Sequence, residues 1–295
     1  MIKGLHFLLT YECTYECDHC FLYSGPLSAG TFTLDQIERT LEEAAELKSV
    51  KNVCFEGGEP FLYYPLLLAG VRQAGVMGFE IEVVTNGYFA VSEADALLWL
   101  EPLVEAGLTK ISISDDRYHN PDGVAPSRAH HAIGAARRLS LPCSVLTTAA
   151  PARMGGLFAE EGEDPLMYRG RAVEKLAGEA LSLPASLFRE CPYEDLVDPG
   201  RVHLDAFGNI HICQGLLIGN MWEQPLAQVL AEYRAAEHPL CAPLAEGGPL
   251  LLAETYGLTY ASAYADACHF CYSMRRKLLE RFPRSLAPRQ VYGLE

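Results

Sequence analysis

"GLHFLLTYECTYECDHC" (residues 4–20) carries an apolar run straight into a loop with three cysteines, Cys13, Cys17 and Cys20, spaced C-x3-C-x2-C. Residues 4–10 are apolar almost throughout, the pattern of a strand covered on both faces. Similar runs return at "NVCFE" (52–56), "FEIEVVT" (79–85), "LTKISIS" (108–114) and "CSVLTT" (143–148), with amphipathic stretches near 34–47, 64–76, 92–105 and 126–139. Within 35–47, Ile37, Leu41 and Ala44 fall on one helical face, and Thr33 is placed to cap the helix. Buried strands alternating with helices make βαβ units around a parallel sheet, and repeated right-handed crossovers wind it into a barrel or part of one. Ligands of such α/β folds sit past the C-terminal ends of the strands, where Cys13, Asn86 and Asp115 lie.

After Ala150 the rhythm changes. "APARMGGLFAEEGEDP" is rich in Gly, Pro and acids and reads as a loop or lid, while "VHLDAFGNIHIC" (202–213) alternates around Phe-Gly-Asn as a hairpin. Helices near 225–235 and 264–281 complete a smaller region, so the expected division is 1–190 and 191–295. The chain has no internal repeat.

With 295 residues, 49% hydrophobic and 21% charged, the chain can bury a substantial core. A net charge of -15 argues against wrapping nucleic acid or lying on an anionic membrane. The one basic cluster, "MRRKLLERFPR", reads as a solvated helix face. The N-terminal apolar run is too short for a signal peptide and no later segment reaches transmembrane length, so a cytoplasmic protein with reduced thiols is expected.

In such a compartment a cysteine cluster points to metal or catalysis. Three thiols are an odd number for disulfides and one short of a closed zinc site, and His19 is poorly placed inside the loop to supply the fourth ligand. Three thiolates can instead hold three irons of a [4Fe–4S] cluster and leave the fourth iron open. A second motif stands at the end of the second strand, "FEGGEPFLYYP", with Gly57, Gly58, Glu59 and Pro60. Glycines there let the backbone approach a ligand, and the following carboxylate can hold an ammonium group.

The two motifs together resemble the radical S-adenosylmethionine (SAM) enzymes, which have a partial (β/α)6-type barrel. The resemblance implies that Cys13, Cys17 and Cys20 hold the catalytic cluster and that His19 packs against the SAM adenine. It also implies that Gly57, Gly58 and Glu59 hold the methionine amino group. "TNG" (85–87), with Asn86, matches the family after strand three, and Ser112, Ser114 and Asp115 stand where ribose contacts are common. For Ser112 and Ser114 plain strand alternation is the competing reading. The family's glycine-rich motif on strand five is not recognisable in "PCSVLTTAA". Arg169 and Arg171 in "YRGRA" are placed to meet the SAM carboxylate or an anionic substrate, against a plain ion pair. His119, with Asp115 and Asp116, sits at the expected mouth as a proton carrier or a loop stabiliser, and Tyr63 and Tyr64 read as packing.

Cys191, Cys213 (five residues after Gly208), Cys268 and Cys271 resemble the SPASM/twitch extension of the same enzymes, which implies one auxiliary [4Fe–4S] cluster. Zinc on the same four thiols is the alternative, and Cys241 could replace one ligand. Cys54 and Cys143 read as inert thiols on central strands.

The implied activity is reductive cleavage of SAM to a 5′-deoxyadenosyl radical that abstracts a hydrogen from substrate, with flavodoxin or ferredoxin as electron donor. Maturation of a ribosomally made peptide is the leading substrate reading, and a small molecule or cofactor precursor the second. No peptide-recognition domain is expected before strand one. A non-catalytic iron–sulfur carrier or redox sensor would account for the cysteines but not for "GGEP".

Overall fold

The computed structural model describes residues 2–151 and 162–294, so most of the expected lid lies outside the described residues. Five parallel strands, β1 (Gly4–Thr10), β2 (Asn52–Gly57), β3 (Glu80–Thr85), β4 (Lys110–Ser114) and β5 (Cys143–Leu146), alternate with four helices. The helices are α1 (Leu34–Glu46), α2 (Tyr64–Val76), α3 (Glu93–Glu105) and α4 (Arg128–Arg138). Each of α1, α3 and α4 starts on a side-chain cap: Thr33, which forms a capping box with Gln36, then Ser92 and Ser127. Ile37, Leu41 and Ala44 of α1 are buried as their spacing requires.

The later elements are α5 (Ala172–Lys175), β6 (Leu183–Pro184), β7 (Arg201–Asp205), β8 (Asn209–Cys213), β9 (Leu216–Asn220), α6 (Leu226–Glu232), α7 (Cys241–Thr255), β10 (Ala263–Tyr264) and α8 (Ala267–Leu278). The main sheet runs β5-β4-β3-β2-β1-β7-β8-β9. It is an α/β sheet with six parallel strands, but the sixth, β7, joins at the free edge of β1 instead of following β5, with Gly4 opposite Arg201. β8 is antiparallel to β7 across the Phe-Gly-Asn turn, and β9 is antiparallel to β8. The sheet therefore continues across residue 190, and Leu5 and Phe7 share one core with Val202, Leu204 and Ile210. Cys54 is buried on β2, whereas Cys143 is half-buried on the edge strand β5, not a central one.

A second core lies among β8, β9 and the C-terminal helices. The sequence gives no clean signal for α7 because Gly247 and Gly248 break it into two helical pieces. Gly248 has φ +65°, and a Cβ there would lie 2.4 Å from the Glu190 nitrogen, so this break lets the chain beside Cys191 pass close. The basic cluster on α8 is not one solvated face. Arg275 is fully buried, while Arg276 pairs with Glu174 and Lys277 donates to the Thr259 carbonyl.

Candidate active site

Beyond β1 the chain loops over the C-terminal ends of the parallel strands. Cys13, Cys17 and Cys20 line one cavity of about 510 Å³, together with His19, Gly57, Gly58, Asn86 and Ser114. Backbone N–H groups point at two of the sulfurs: Tyr15 donates to Cys13 Sγ at 3.4 Å and Ser24 to Cys20 Sγ at 3.3 Å. Asn86 Nδ2 donates to Cys13 Sγ at 3.6 Å. Donors aimed at sulfur favour thiolate. Against them, burial pushes Cys13 up to about 12, with the neighbouring Glu59 and Cys20 adding to it. Burial, Cys20 and Cys13 push Cys17 up as well. Three clustered sulfurs, two of them met by N–H donors, are a donor set suited to a cationic metal cluster, and they fit the implied [4Fe–4S] group.

The glycines of "GGEP" line the cavity and also meet the cysteine loop. A Cβ on Gly57 would stand 2.3 Å from the Thr10 oxygen and one on Gly58 2.1 Å from the Glu12 oxygen. Gly58 N–H donates to Thr10 O at 2.7 Å and Glu59 N–H to Glu12 O at 2.9 Å. The end of β2 is thus laid directly against the stem of the cysteine loop, and that contact requires glycine. Glu59 does not line the cavity. It is fully buried and accepts from Phe61 N–H (3.0 Å), Thr85 Oγ1 (2.8 Å) and Asn86 N–H (2.8 Å), bracing β2 against β3. Burial raises its carboxyl to about 7 despite those donors. Asn86 continues the brace by donating to Thr14 Oγ1 at 3.1 Å.

On β4, Ser114 reaches the cavity. Ser112 lies further down the same strand face and donates to Glu82 Oε1 at 2.5 Å. Asp115 turns away and accepts from Ser127 Oγ at the start of α4 (3.2 Å). Its neighbour Asp116 faces the cavity, 2.8 Å from His119 Nδ1 and 3.9 Å from His19 Nε2. His19 lies with its ring 4.4 Å from that of Tyr118, and burial pushes it down to about 4, so it is neutral near pH 7.

Arg171 is not a cavity residue. Its guanidinium donates to the carbonyls of Cys17 (2.8 Å), Ser24 (2.6 Å) and Tyr23 (3.1 Å), so it clamps the cysteine loop from behind. Arg169 does line the cavity and also a second, smaller one of about 30 Å³, where Cys191, Cys213, Cys268 and Cys271 converge. Cys241 is buried outside that lining. Arg169 Nη1 lies 3.6 Å from Cys213 Sγ, and Arg275 also lines the small cavity. The Nε of each arginine is buried without a partner among the described residues. Two buried guanidiniums beside four thiols fit an anionic metal–thiolate centre.

Glu56, Tyr15 and Tyr193 also line the large cavity, and motif reading gives them no role. Glu56 was within reach of it, since alternation along β2 turns Cys54 and Glu56 to the face opposite the buried Val53 and Phe55. Tyr193 carries no such signal, because only tertiary packing brings it beside Arg169.

Residues 7–148 match the profile of the Radical SAM superfamily. The chain carries a radical SAM domain. A Bacillus subtilis protein named "Putative peptide biosynthesis protein YydG" is 27% identical over 119 residues, which cover 40% of this chain and 37% of that protein. A GTP 3',8-cyclase of Rhodococcus opacus is 28% identical over 158 residues, covering 52% and 40%. The matched segments thus span about two fifths of either relative. The structure of native anSMEcpe with bound AdoMet superposes with a TM-score of 0.52 at 13% identity, covering 95% of this chain and 97% of that one. It shares the overall α/β fold. Among the described residues no helix is long and apolar enough to cross a membrane.

Proposed function

We propose that the chain is an enzyme that cleaves SAM reductively in the large cavity and takes a hydrogen atom from a peptide, in the maturation of a ribosomally made product. The carrying observation is the convergence of Cys13, Cys17 and Cys20 with Gly57, Gly58 and Asn86 on one cavity at the strand ends. A cluster bound there supplies the electron that breaks the C5′–S bond of SAM and yields the hydrogen-abstracting radical. The chain's own residues hold and orient. The three thiols anchor the cluster, Asn86 and Arg171 fix their loop, and His19 with Tyr118 offers a flat face for adenine. The buried walls exclude water from the radical. Flavodoxin or ferredoxin is the proposed electron donor.

The peptide reading rests on the likeness to YydG, and the GTP 3',8-cyclase likeness supports a small-molecule substrate as the second reading. Anaerobically reconstituted protein with dithionite should release 5′-deoxyadenosine, and replacing Cys13, Cys17 and Cys20 by Ala should abolish it. Cleavage that survives the triple replacement overturns the assignment. Stimulation by a short peptide encoded beside the gene, but not by GTP, decides between the substrates.

For Cys191, Cys213, Cys268 and Cys271 we propose a SPASM/twitch-like auxiliary [4Fe–4S] cluster that exchanges an electron with the substrate radical through the wall shared at Arg169. Zinc on the same four thiols is the alternative. The cluster gives roughly eight irons in wild type and roughly four in Cys268→Ala/Cys271→Ala, whereas zinc gives roughly four irons in both.

A further inference from the structure

The inner face of the sheet, below the cysteine loop, is unusually polar. In register across β7, β1, β2, β3 and β4 lie His203, His6, Cys54, Glu82 and Lys110. Glu82 and Lys110 pair with each other at 3.0 Å, which accounts for both. The other residues form a separate group. Glu56 Oε1 is 2.9 Å from His6 Nδ1 and 3.2 Å from His203 Nε2. The ligand atoms of His6, Cys54 and Glu56 all lie within 4.8 Å of one another. Neither the SAM reaction nor the C-terminal thiols use this group.

Three features point to an ion. The donors are an imidazole nitrogen, a thiol sulfur and a carboxylate oxygen, the mixed set that borderline divalent metals take. Ligand atoms in a tetrahedral zinc site stand roughly 3.3–3.7 Å apart, given bonds of about 2.0–2.3 Å, so these three need move little. Hydrogen bonding within the group is also incomplete. One carboxylate oxygen faces two imidazoles, while the buried His203 Nδ1 and Gln214 Oε1 have no partner among the described residues. Such unpaired buried groups are uncommon where the protein's own hydrogen bonds are the whole account.

We propose that His6, Cys54 and Glu56 hold one divalent transition-metal ion, with zinc as the first candidate. His203, donating from Nε2, positions the Glu56 carboxylate, as partners of ligating groups do elsewhere. Three protein ligands leave a tetrahedral ion one open position. Glu56 also forms part of the wall of the 510 Å³ cavity, so the ion borders the space next to Gly57 and can anchor a substrate group bearing a lone pair. The proposal is independent of the proposed SAM chemistry.

The test counts metal in the full chain. Protein with its iron–sulfur sites reconstituted anaerobically, and so occupied, is dialysed against micromolar zinc and analysed by plasma mass spectrometry. Wild type should hold about one zinc more than His6→Asn and Cys54→Ala, with iron unchanged in all three. His6 is only half-buried, so His6→Asn keeps the test open if Cys54→Ala fails to fold. The zinc-edge X-ray absorption of the wild type less that of His6→Asn should give one sulfur at about 2.3 Å with nitrogen or oxygen near about 2.0 Å. Equal zinc in wild type and His6→Asn, or a shell of sulfur alone, overturns the proposal.

Discussion

Replacing Arg171 by Met tests whether this arginine holds the cysteine loop or a ligand. The side chain donates to three loop carbonyls, those of Ser24, Cys17 and Tyr23, and its guanidinium lies 4.8 Å from the ring centre of Tyr23. The bond to Ser24 is buried and charge-assisted, a kind that contributes about 1.5–3 kcal/mol. The other two are partly buried and add on the order of 1 kcal/mol each. The loss is therefore about 4 kcal/mol, which for a chain of this size lowers the melting temperature by about 6 °C. Iron retained after reconstitution should fall with it, since the clamp fixes the backbone between Cys17 and Ser24. Arg171→Lys, with one compact ammonium in place of a fork, should recover less than half of the loss. Thermal unfolding and iron analysis read both variants. An Arg171→Met protein that melts and binds iron like wild type, but has lost affinity for SAM, would refute the clamp and restore the carboxylate contact that the sequence invites.

Other changes have equally definite outcomes. Glu59 has a carboxyl raised to about 7 from 4.5, so the folded state binds its proton more tightly than the unfolded chain does. Stability should fall as pH rises from about 4.5 to about 7, by on the order of 3 kcal/mol in total. Urea midpoints of wild type relative to Glu59→Gln across that window check it, and a constant difference rules it out. Gly58→Ala places a Cβ 2.1 Å from the Glu12 oxygen and should cost about 1–3 kcal/mol with loss of cluster loading, read by melting and iron content. Cys241→Ala should leave iron and zinc content unchanged, because the small cavity is lined by the other four thiols.

Much of this layout can be read from the chain because the signals are local. Strand and helix periods place β1 to β4 within about two residues, and Thr33 marks the start of α1. The cysteine spacing and Gly57-Gly58 bring the right elements to one cavity. What stays hidden depends on contacts between distant residues. Nothing in "GEP" reveals that Glu59 turns into the protein to meet Thr85 and Asn86, or that Asp116 and not Asp115 faces the cavity. Arg275 looks like one more charge on a basic helix until the thiols and Tyr292 close round it. Strand order is equally non-local, since a sixth parallel strand is legible as a strand while the edge it joins is not.

That edge matters during synthesis. Gly4 to Leu8 pair with Arg201 to Asp205, so one side of β1 waits for residues made long after it. Until they emerge from the ribosome, the nascent chain exposes a hydrophobic strand edge beside three reduced thiols, the kind of surface that recruits neighbouring chains. A fragment ending near residue 190 keeps that edge for good. Such a fragment should precipitate or need a chaperone where the longer chain does not, and iron delivered before Arg201 is made would meet a loop whose supporting strand is still half paired.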